Sequence, residues 1–316
     1  MYNVAGVNIG GETCHKDRAV WLISRLFWRI AGTPSYWLPK ICPCFATVSQ
    51  KGSIARVTNG MAFSYPGYNE MLTGHPDPRI NSNEFGPNPN QTVFEWLNRL
   101  PDLHGRVGVC GTWGTFADIF NEKRSALYMQ AGWRFIANGP DGARRQLIEE
   151  LFRTTTRLDD EDLYDSFLQI QLLDYVAATK PRLLFVGYGE ADNWAHAGRY
   201  DLVLESLHQM DRFIEQLWKR MQEMPEYLGT TTFLITDDHG RGHGPVEWKE
   251  HGVEEKGSEN IWLAVMGPDT PTLGERENVA PITQAQIAAT VVALLGQDWP
   301  KEKTDAAPAI DAVLGR

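Results

Sequence analysis

Residues 231–252, TTFLITDDHGRGHGPVEWKEHG, join a strand-like apolar run to a cluster of aspartates and histidines. The β-branched and aromatic residues of 232–236 are typical of a strand buried in a sheet. Asp237, Asp238 and His239 follow where the backbone leaves that strand. In open α/β sheets this edge binds ligands, and Asp and His are common metal ligands. The stretch predicts a buried strand with metal ligands at its C-terminal end, and a solvated acidic turn is the alternative.

Composition limits the class of protein. The 316 residues, 42% hydrophobic and 22% charged, are those of an ordinary globular protein, large enough for one α/β domain. A net charge of −10 argues against a nucleic-acid groove, which needs a basic patch. Four cysteines at irregular spacings do not predict a disulfide framework.

The first 63 residues differ in charge from the rest of the chain. They carry seven Lys or Arg against Glu12 and Asp17, whereas the remainder carries 23 basic residues (30 − 7) against 38 acidic ones (40 − 2). The apolar stretch 19–37 is interrupted by Arg25, Arg29 and Pro34, so it predicts no membrane span. It also lacks the order of a signal peptide, and the sequence predicts no compartment.

From about residue 46, strand-like and helix-like runs alternate. This order predicts a three-layer α/β/α fold with a mostly parallel, doubly wound sheet. The loop at 74–91 is long and rich in Pro and Asn, which predicts that it borders a site or forms a lid. The predicted strands are 103–112, 133–137, 182–188, 232–236 and 261–266, and the predicted helices are 156–179, 200–221 and 283–295.

Further candidate ligands follow the strand predicted at 182–188. Asp192 comes four residues after that strand, and His196 comes four residues after Asp192. A carboxylate and an imidazole at this spacing share one face of a helical turn and can chelate one ion. Two strands of one sheet that both end in Asp/His sets favour metal binding far more than either does alone.

The remaining polar candidates have plainer interpretations. Glu190 is either a partner of the ligands or a solvated acid, and His243, between two glycines, is either a ligand or a loop residue. The histidines without ligand-like company are His15, His75, His104 and His208.

A third segment, 63–74, reads FSYPGYNEMLTG. Pro66 suits the first turn of a helix, so Ser64 lies at a predicted helix N-terminus. Free backbone amides at such an end bind an oxyanion or phosphate, although an ordinary serine cap is the alternative. No Gly-x-Ser-x-Gly motif surrounds Ser64, which argues against a lipase-type triad.

Together the three segments resemble the alkaline phosphatase superfamily, nearest to its type I phosphodiesterase/nucleotide pyrophosphatase branch, over about residues 46–299. In that branch a Thr or Ser nucleophile precedes a Pro two residues on and a later Thr-Gly, which Ser64, Pro66 and Thr73 match. The sulfatase branch has Arg four residues after its nucleophile. Position 68 is Tyr here, which disfavours a sulfatase.

The resemblance implies two divalent metal ions, zinc or else manganese. Asp238 and His239 would bind one ion and His251 would join the group that binds the other, while Asp237 and His243 would be bystanders. Asn69 would contact the phosphate. The complete ligand set of that other ion would be Asp192, His196 and His251.

One element of the family pattern is missing. The superfamily's first strand ends in an Asp metal ligand, but residues 18–63 contain no acidic residue. Asn8, after a strand-like run at 2–9, brings no charge. We therefore expect residues 1–45 to be an atypical segment and 46–316 to form a single domain, with the genuine first strand lost through a misassigned gene start or reading frame.

The implied activity is metal-dependent hydrolysis of a phosphate ester, monoester or diester, through a phospho-serine at Ser64. A phosphomutase of the same superfamily is one alternative, although 64–192 leaves little room for a second substrate-gripping domain. The other alternative is an impaired member that binds metal and phosphorylated ligand without turnover. The expected partner is a small-molecule phosphate ester.

Overall fold

The computed structural model describes residues 17–25, 53–136, 142–273 and 282–315. The strand-like run at 2–9, with Asn8, Glu12 and His15, lies outside the described residues. Eight strands form one sheet in these parts of the chain: β1 Ala19–Arg25, β2 Ser53–Arg56, β3 Val107–Gly111, β4 Tyr128–Ala131, β5 Leu183–Tyr188, β6 Thr231–Thr236, β7 Asn260–Met266 and β8 Ile282–Thr283.

The strand order is β4-β3-β5-β1-β6-β7-β2-β8. Every pairing from β4 through β6 is parallel, β7 is antiparallel to both β6 and β2, and β8 is parallel to β2. The sheet is therefore mixed but mostly parallel, as predicted. Parallel strands that are buried on both faces read as continuous apolar runs, which explains the sequences of β5 and β6.

Strand β1 corrects the prediction that the first strand is missing. It lies between β5 and β6, with Ser24 in register with both Gly187 and Thr236. The apolar residues of 19–37 that had no assigned role thus include the centre of the sheet. Their continuation past Arg25 without a turn signal hides the strand end from sequence analysis.

Helices cover both faces of the sheet. Along β1, Val20 and Leu22 pack into one apolar cluster, and Trp21 and Ile23 pack into another on the opposite face, as strand geometry requires. This arrangement confirms the three-layer fold. The helices are α1 Ser64–Thr73, α2 Val93–Asn98, α3 Phe116–Ile119, α4 Glu122–Ser125, α5 Ala143–Thr154, α6 Asp165–Thr179, α7 Glu190–His196, α8 Tyr200–Glu223, α9 Gln286–Leu294, α10 Trp299–Glu302 and α11 Asp311–Leu314.

Some predicted elements have different bounds. The segment predicted as a strand at 133–137 is irregular over its described residues, and the strand is the preceding β4. The helix predicted from 156 begins only at Asp165, and α5 was not predicted. Helix α9 starts after Thr283, whose amide donates to Gln286 Oε1 at 3.0 Å, which is half of the predicted capping box.

The loop at 74–91 packs against α1. Asn83 Oδ1 accepts the Tyr65 amide at 2.9 Å, and Tyr65 Oη donates to the Gly86 carbonyl at 2.6 Å. The loop therefore borders the first turn of α1, which carries Ser64. Within the described residues, no helix combines the length and apolarity that crossing a membrane requires.

Candidate metal-dependent active site

The predicted ligand segments meet at one edge of the sheet. Strands β5, β1 and β6 are adjacent and parallel, so their C-terminal ends lie side by side. Helix α7 follows β5 and carries Asp192 and His196, while Asp238 and His239 follow β6 directly. The topology thus brings together the two groups that the sequence separates by some forty residues.

The first group consists of Asp192, His196 and His251. One ligand atom from each side chain lies within 4.8 Å of the others. The Nε2 atom of His196 is 3.4 Å from Oδ2 of Asp192, and the rings of His196 and His251 have centroids 5.1 Å apart. Three protein ligands of these types suit a divalent transition metal, with a position left open for another ligand.

The second group consists of Ser64, Asp238 and His239. Ser64 Oγ lies 3.1 Å from Nε2 of His239, and that same nitrogen lies 3.5 Å from Oδ2 of Asp238. The His239 ring also stacks on His251, with centroids 3.8 Å apart. The two groups are therefore neighbours in one site.

His239 and His251 both present their Nε2 atoms to the site. His239 Nδ1 lies 2.9 Å from the Gly240 carbonyl, and His251 Nδ1 lies 3.0 Å from the Ala62 carbonyl. A carbonyl accepts, so each Nδ1 carries the proton and each Nε2 keeps its lone pair. Burial, with His239 and Arg241 nearby, lowers the pKa of His251 far below its usual range. The His251 imidazole is therefore a neutral donor, ready for a cation.

Asp238 supplies the test of whether a metal fits. Its side chain is fully buried, and neither of its carboxylate oxygens has a hydrogen-bond partner among the described residues. Burial raises the pKa of Asp238, against smaller opposing effects from His239, the nearby backbone amides and the Ser64 hydroxyl. A buried carboxylate without donors is costly unless a cation lies beside it. The donor set of Asp238 and His239 therefore fits a metal ion, as does the first group.

Ser64, His239 and Asp238 do not form a serine-protease triad. In a triad the aspartate accepts the Nδ1 proton of the histidine whose Nε2 faces the serine. Here Nδ1 of His239 is occupied by the Gly240 carbonyl, and Asp238 lies on the Nε2 side with Ser64. This geometry favours ligation of a cation by Nε2 over proton relay through the ring.

Helix α1 brings Ser64 against the loop after β6. A Cβ atom at Gly67 would lie 2.3 Å from the Asp238 carbonyl oxygen, so only glycine permits this approach. The amides of the first turn are less open than predicted, because Tyr65 donates to Asn83, Pro66 has no N–H, and Gly67 donates to the Phe63 carbonyl. The anion-binding role predicted for these amides therefore loses most of its support.

Gly67→Ala is expected to separate Ser64 from Asp238 and His239, because the methyl group meets backbone that cannot rotate away. We expect a loss of turnover of about a hundredfold or more, since displacements of about 1 Å in a catalytic group have effects of this size. The check is hydrolysis kinetics beside thermal unfolding. Gly142→Ala is the matched control, because a Cβ there meets nothing within 4 Å. Equal activity of both variants would contradict this account of the α1 contact.

The Asn69 side chain makes its hydrogen bonds to the loop at 74–91. Its Oδ1 accepts from Asn88 and Asn90 at 3.3 and 3.1 Å, and its Nδ2 donates to the His75 carbonyl at 3.3 Å. Both ends of the amide thus serve the loop at 74–91. The sequence-based assignment of Asn69 as a phosphate contact is not supported by this geometry.

Arg241 is a site residue that sequence analysis missed. Its buried guanidinium contacts the Asp192 carboxylate through Nη2 and donates to the Lys249 carbonyl through Nη1 at 2.6 Å. Burial lowers the pKa of Arg241 to about 10, so it stays charged at neutral pH. The available signal was a basic residue two positions after a predicted ligand, at the sheet edge where ligands bind.

The carboxylate of the family's first strand has no counterpart here. Ser24, near the end of β1, pairs its Oγ with Tyr68 Oη at 2.9 Å. Residues 18–63 contain no Asp or Glu, so β1 is present but brings no acidic ligand. The second group is therefore one ligand short of the family pattern.

The other histidines that the structure describes belong to neither group of candidate ligands. His243 is exposed and contacts Gly257, and His104 and His208 are also exposed. His75 lies beside Thr73, with its Nδ1 2.8 Å from the Thr73 hydroxyl. Burial, and then the charge of Glu190, raises the pKa of Asp165, which accepts the Gly189 and Glu190 amides at the start of α7.

The environment of Asp162 leads us to expect that the stability of the protein depends on pH. Burial, and then the charge of Asp159, raises its pKa to about 7, against an opposing hydrogen bond from Asn193. Between about pH 4 and 7 the folded protein then binds more protons than the unfolded chain, so this group's contribution to stability falls as pH rises through that window. Asp162→Asn should remove this fall in the free energy of unfolding, which amounts to at most about 4 kcal/mol.

The measurement is urea unfolding of the metal-free protein below and above this window. Asp160→Asn is the matched control, because the Asp160 side chain is 97% exposed. A difference between Asp162→Asn and wild type that does not change with pH would contradict the raised pKa.

Comparison with known proteins supports the fold. No family model and no curated protein matches the chain. Among solved structures, a putative sulfatase from Bacteroides thetaiotaomicron superposes with a TM-score of 0.63 at 11% identity, over 95% of this chain and 75% of that one. The phosphonate monoester hydrolase of Agrobacterium radiobacter gives 0.58 at 14% identity, over 94% and 77%.

A mutant of the TAB5 alkaline phosphatase, solved with Mg bound, gives a TM-score of 0.50 at 12% identity, over 89% of this chain and 98% of that one. These proteins share the alkaline phosphatase superfamily fold, and the chain has that fold, as the sequence resemblance predicted. Their names include hydrolases of sulfate, phosphonate and phosphate esters, so the likeness does not single out one branch.

Proposed function

We propose that this protein is a metal-dependent hydrolase of phosphate esters in which Ser64 is the nucleophile. The observation that carries the proposal is the convergence of Ser64 Oγ, His239 Nε2 and the orphaned Asp238 carboxylate at one point of the sheet edge. Asp238 and His239 would hold one divalent ion, and Asp192, His196 and His251 would hold the other. Zinc suits these ligands, and manganese is the alternative.

Bound ions would lower the pKa of the Ser64 hydroxyl and offset the charge that develops on the phosphoryl and leaving oxygens. Ser64 Oγ attacks phosphorus, and the bond to the leaving alcohol breaks. Water then cleaves the phospho-serine and returns Ser64 to its starting state. In their neutral form His239 and His251 both present an unprotonated Nε2, because each Nδ1 donates its proton to a carbonyl.

Tyr68 supports a phosphate ester over a sulfate ester as substrate. In the sulfatase pattern this position carries an arginine, whereas Tyr68 is buried among aromatic rings and pairs with Ser24. Tyr68 therefore does not supply the positive charge that an arginine at this position would bring to the site. A protein that binds one ion and a phosphorylated ligand without turnover is the second candidate, because β1 supplies no acidic ligand.

The test is metal analysis of the dialysed protein together with hydrolysis of nitrophenyl phosphate, bis-nitrophenyl phosphate and nitrophenyl sulfate. Two ions per chain with turnover of a phosphate ester would support the proposal. One ion without turnover would support the second candidate. Turnover of the sulfate ester alone would overturn the choice of phosphate.

A further inference from the structure

Glu70 is a buried carboxylate on the same helix as Ser64. Its exposed fraction is 0%, and among the residues that the structure describes no basic side chain forms an ion pair with it. A carboxylate in such surroundings needs several strong donors. Its position, six residues after Ser64 in α1, places those donors close to the proposed active site.

The donors all come from two adjacent residues. Glu70 accepts the Thr58 amide at 3.1 and 3.0 Å through its two oxygens, and also the Thr58 hydroxyl. It accepts the Asn59 amide and the Asn59 side-chain Nδ2, each at 2.9 Å. Burial raises the pKa of Glu70 and these bonds oppose that shift. The carboxylate therefore anchors residues 58–59 to α1.

Asn59 then shapes the turn that follows. Its Oδ1 accepts the amides of Met61 and Ala62 at 2.8 and 3.1 Å. Gly60 and Ala62 both have positive φ, at +75° and +50°. An alanine adopts this left-handed conformation only at an energetic cost, so the turn 59–62 needs the bonds from Asn59 to hold it.

The turn 59–62 ends at Ala62, which is the hydrogen-bond partner of His251, a proposed metal ligand. The Ala62 carbonyl accepts from Nδ1 of His251 at 3.0 Å, across 189 residues of sequence. Phe63, the next residue, packs edge-on against the His251 ring, with centroids 5.6 Å apart. The direction of His251 Nε2 is thus set by the carbonyl of a strained alanine, which the Asn59 side chain holds in place.

We propose that Glu70 is a positioning residue that holds the turn 59–62 in the conformation in which the Ala62 carbonyl aims His251 at Asp192 and His196. The inference rests on the part of the proposed function that assigns a cation to these three residues. One helix then fixes both the nucleophile at its first position and, through Glu70, a ligand of the neighbouring ion. A merely structural role for Glu70 would affect folding stability without selectively weakening this site.

The test measures binding of Zn²⁺ alone by isothermal titration calorimetry, with no substrate. An Asp238→Asn background confines binding to the group of Asp192, His196 and His251. Glu70→Gln is expected to weaken zinc binding about tenfold or more, the usual effect of losing a group that orients a ligand. Glu95→Gln is the matched control, because Glu95 is equally buried but pairs with Arg99 and Arg124.

Thr58→Val and Thr58→Ser give a second pair of variants in case Glu70→Gln does not fold. Valine removes the hydroxyl donor to Glu70 and serine keeps it, so only valine should weaken zinc binding. A second readout is the Nδ1 proton of His251 in the NMR spectrum of the metal-free protein. It should be protected from exchange in wild type and exchange faster in Glu70→Gln.

Zinc affinity of Glu70→Gln equal to that of Glu95→Gln, with an unchanged His251 proton, would overturn the positioning role. So would the absence of zinc binding in the Asp238→Asn background. Because these measurements contain no ester, they separate the inference from the proposed function. A protein that binds two ions and hydrolyses nothing would refute the hydrolase while leaving the Glu70 result intact.

Discussion

Ser64→Ala is expected to abolish ester hydrolysis and to leave the number of bound metal ions unchanged. The reason is geometric, since Ser64 Oγ lies 3.1 Å from His239 Nε2 while the ligand atoms themselves belong to aspartates and histidines. We expect kcat to fall about a thousandfold or more, as when other covalent nucleophiles are removed. The measurements are nitrophenyl ester hydrolysis and metal content after dialysis.

Ser206→Ala is the matched control for this variant. Ser206 is also buried, but its hydroxyl donates to the Leu202 and Val203 carbonyls within α8. It should keep full turnover. Loss of an ion from Ser64→Ala would show that the hydroxyl is needed as a ligand, and retained turnover would remove Ser64 from the mechanism.

Asp238→Asn is expected to act in opposite directions on stability and activity. In the metal-free protein Asp238 is fully buried, and burial raises its pKa and makes its negative charge unfavourable. Asparagine removes that charge, so the variant should unfold at a higher temperature than wild type in the presence of a chelator. With zinc present it should bind one ion fewer, and turnover should fall about a hundredfold or more.

Asp237→Asn is the control variant that distinguishes the role of Asp238 from that of the adjacent aspartate. Asp237 is equally buried, and the family resemblance gives it no ligand role. This variant should bind as many ions as wild type. The ligand assignment of Asp238 would be wrong if Asp238→Asn kept every ion, or if Asp237→Asn were the variant that lost one.

Sequence analysis located most of the candidate site because strand ends are visible in sequence. Apolar runs of β5 and β6 stop abruptly before Asp192 and Asp238, and parallel strands must end at the same edge. It failed at β1, since the apolar stretch continues past Arg25 and only pairing with β5 and β6 marks the strand. The expectation of a lost first strand was therefore wrong, while the absence of its acidic residue is a fact of the sequence.

The sequence by itself determined the fold class and the types and order of the candidate ligands, because these depend on periodicity and on neighbours along the chain. Tertiary structure decided which nitrogen each histidine presents, that Asn69 serves a loop and that Arg241 touches Asp192. It also decided that Glu70 reaches His251 through Asn59 and Ala62. Many of these contacts join groups that lie far apart in the sequence, and neither a residue's type nor its spacing shows which partner the fold will place beside it.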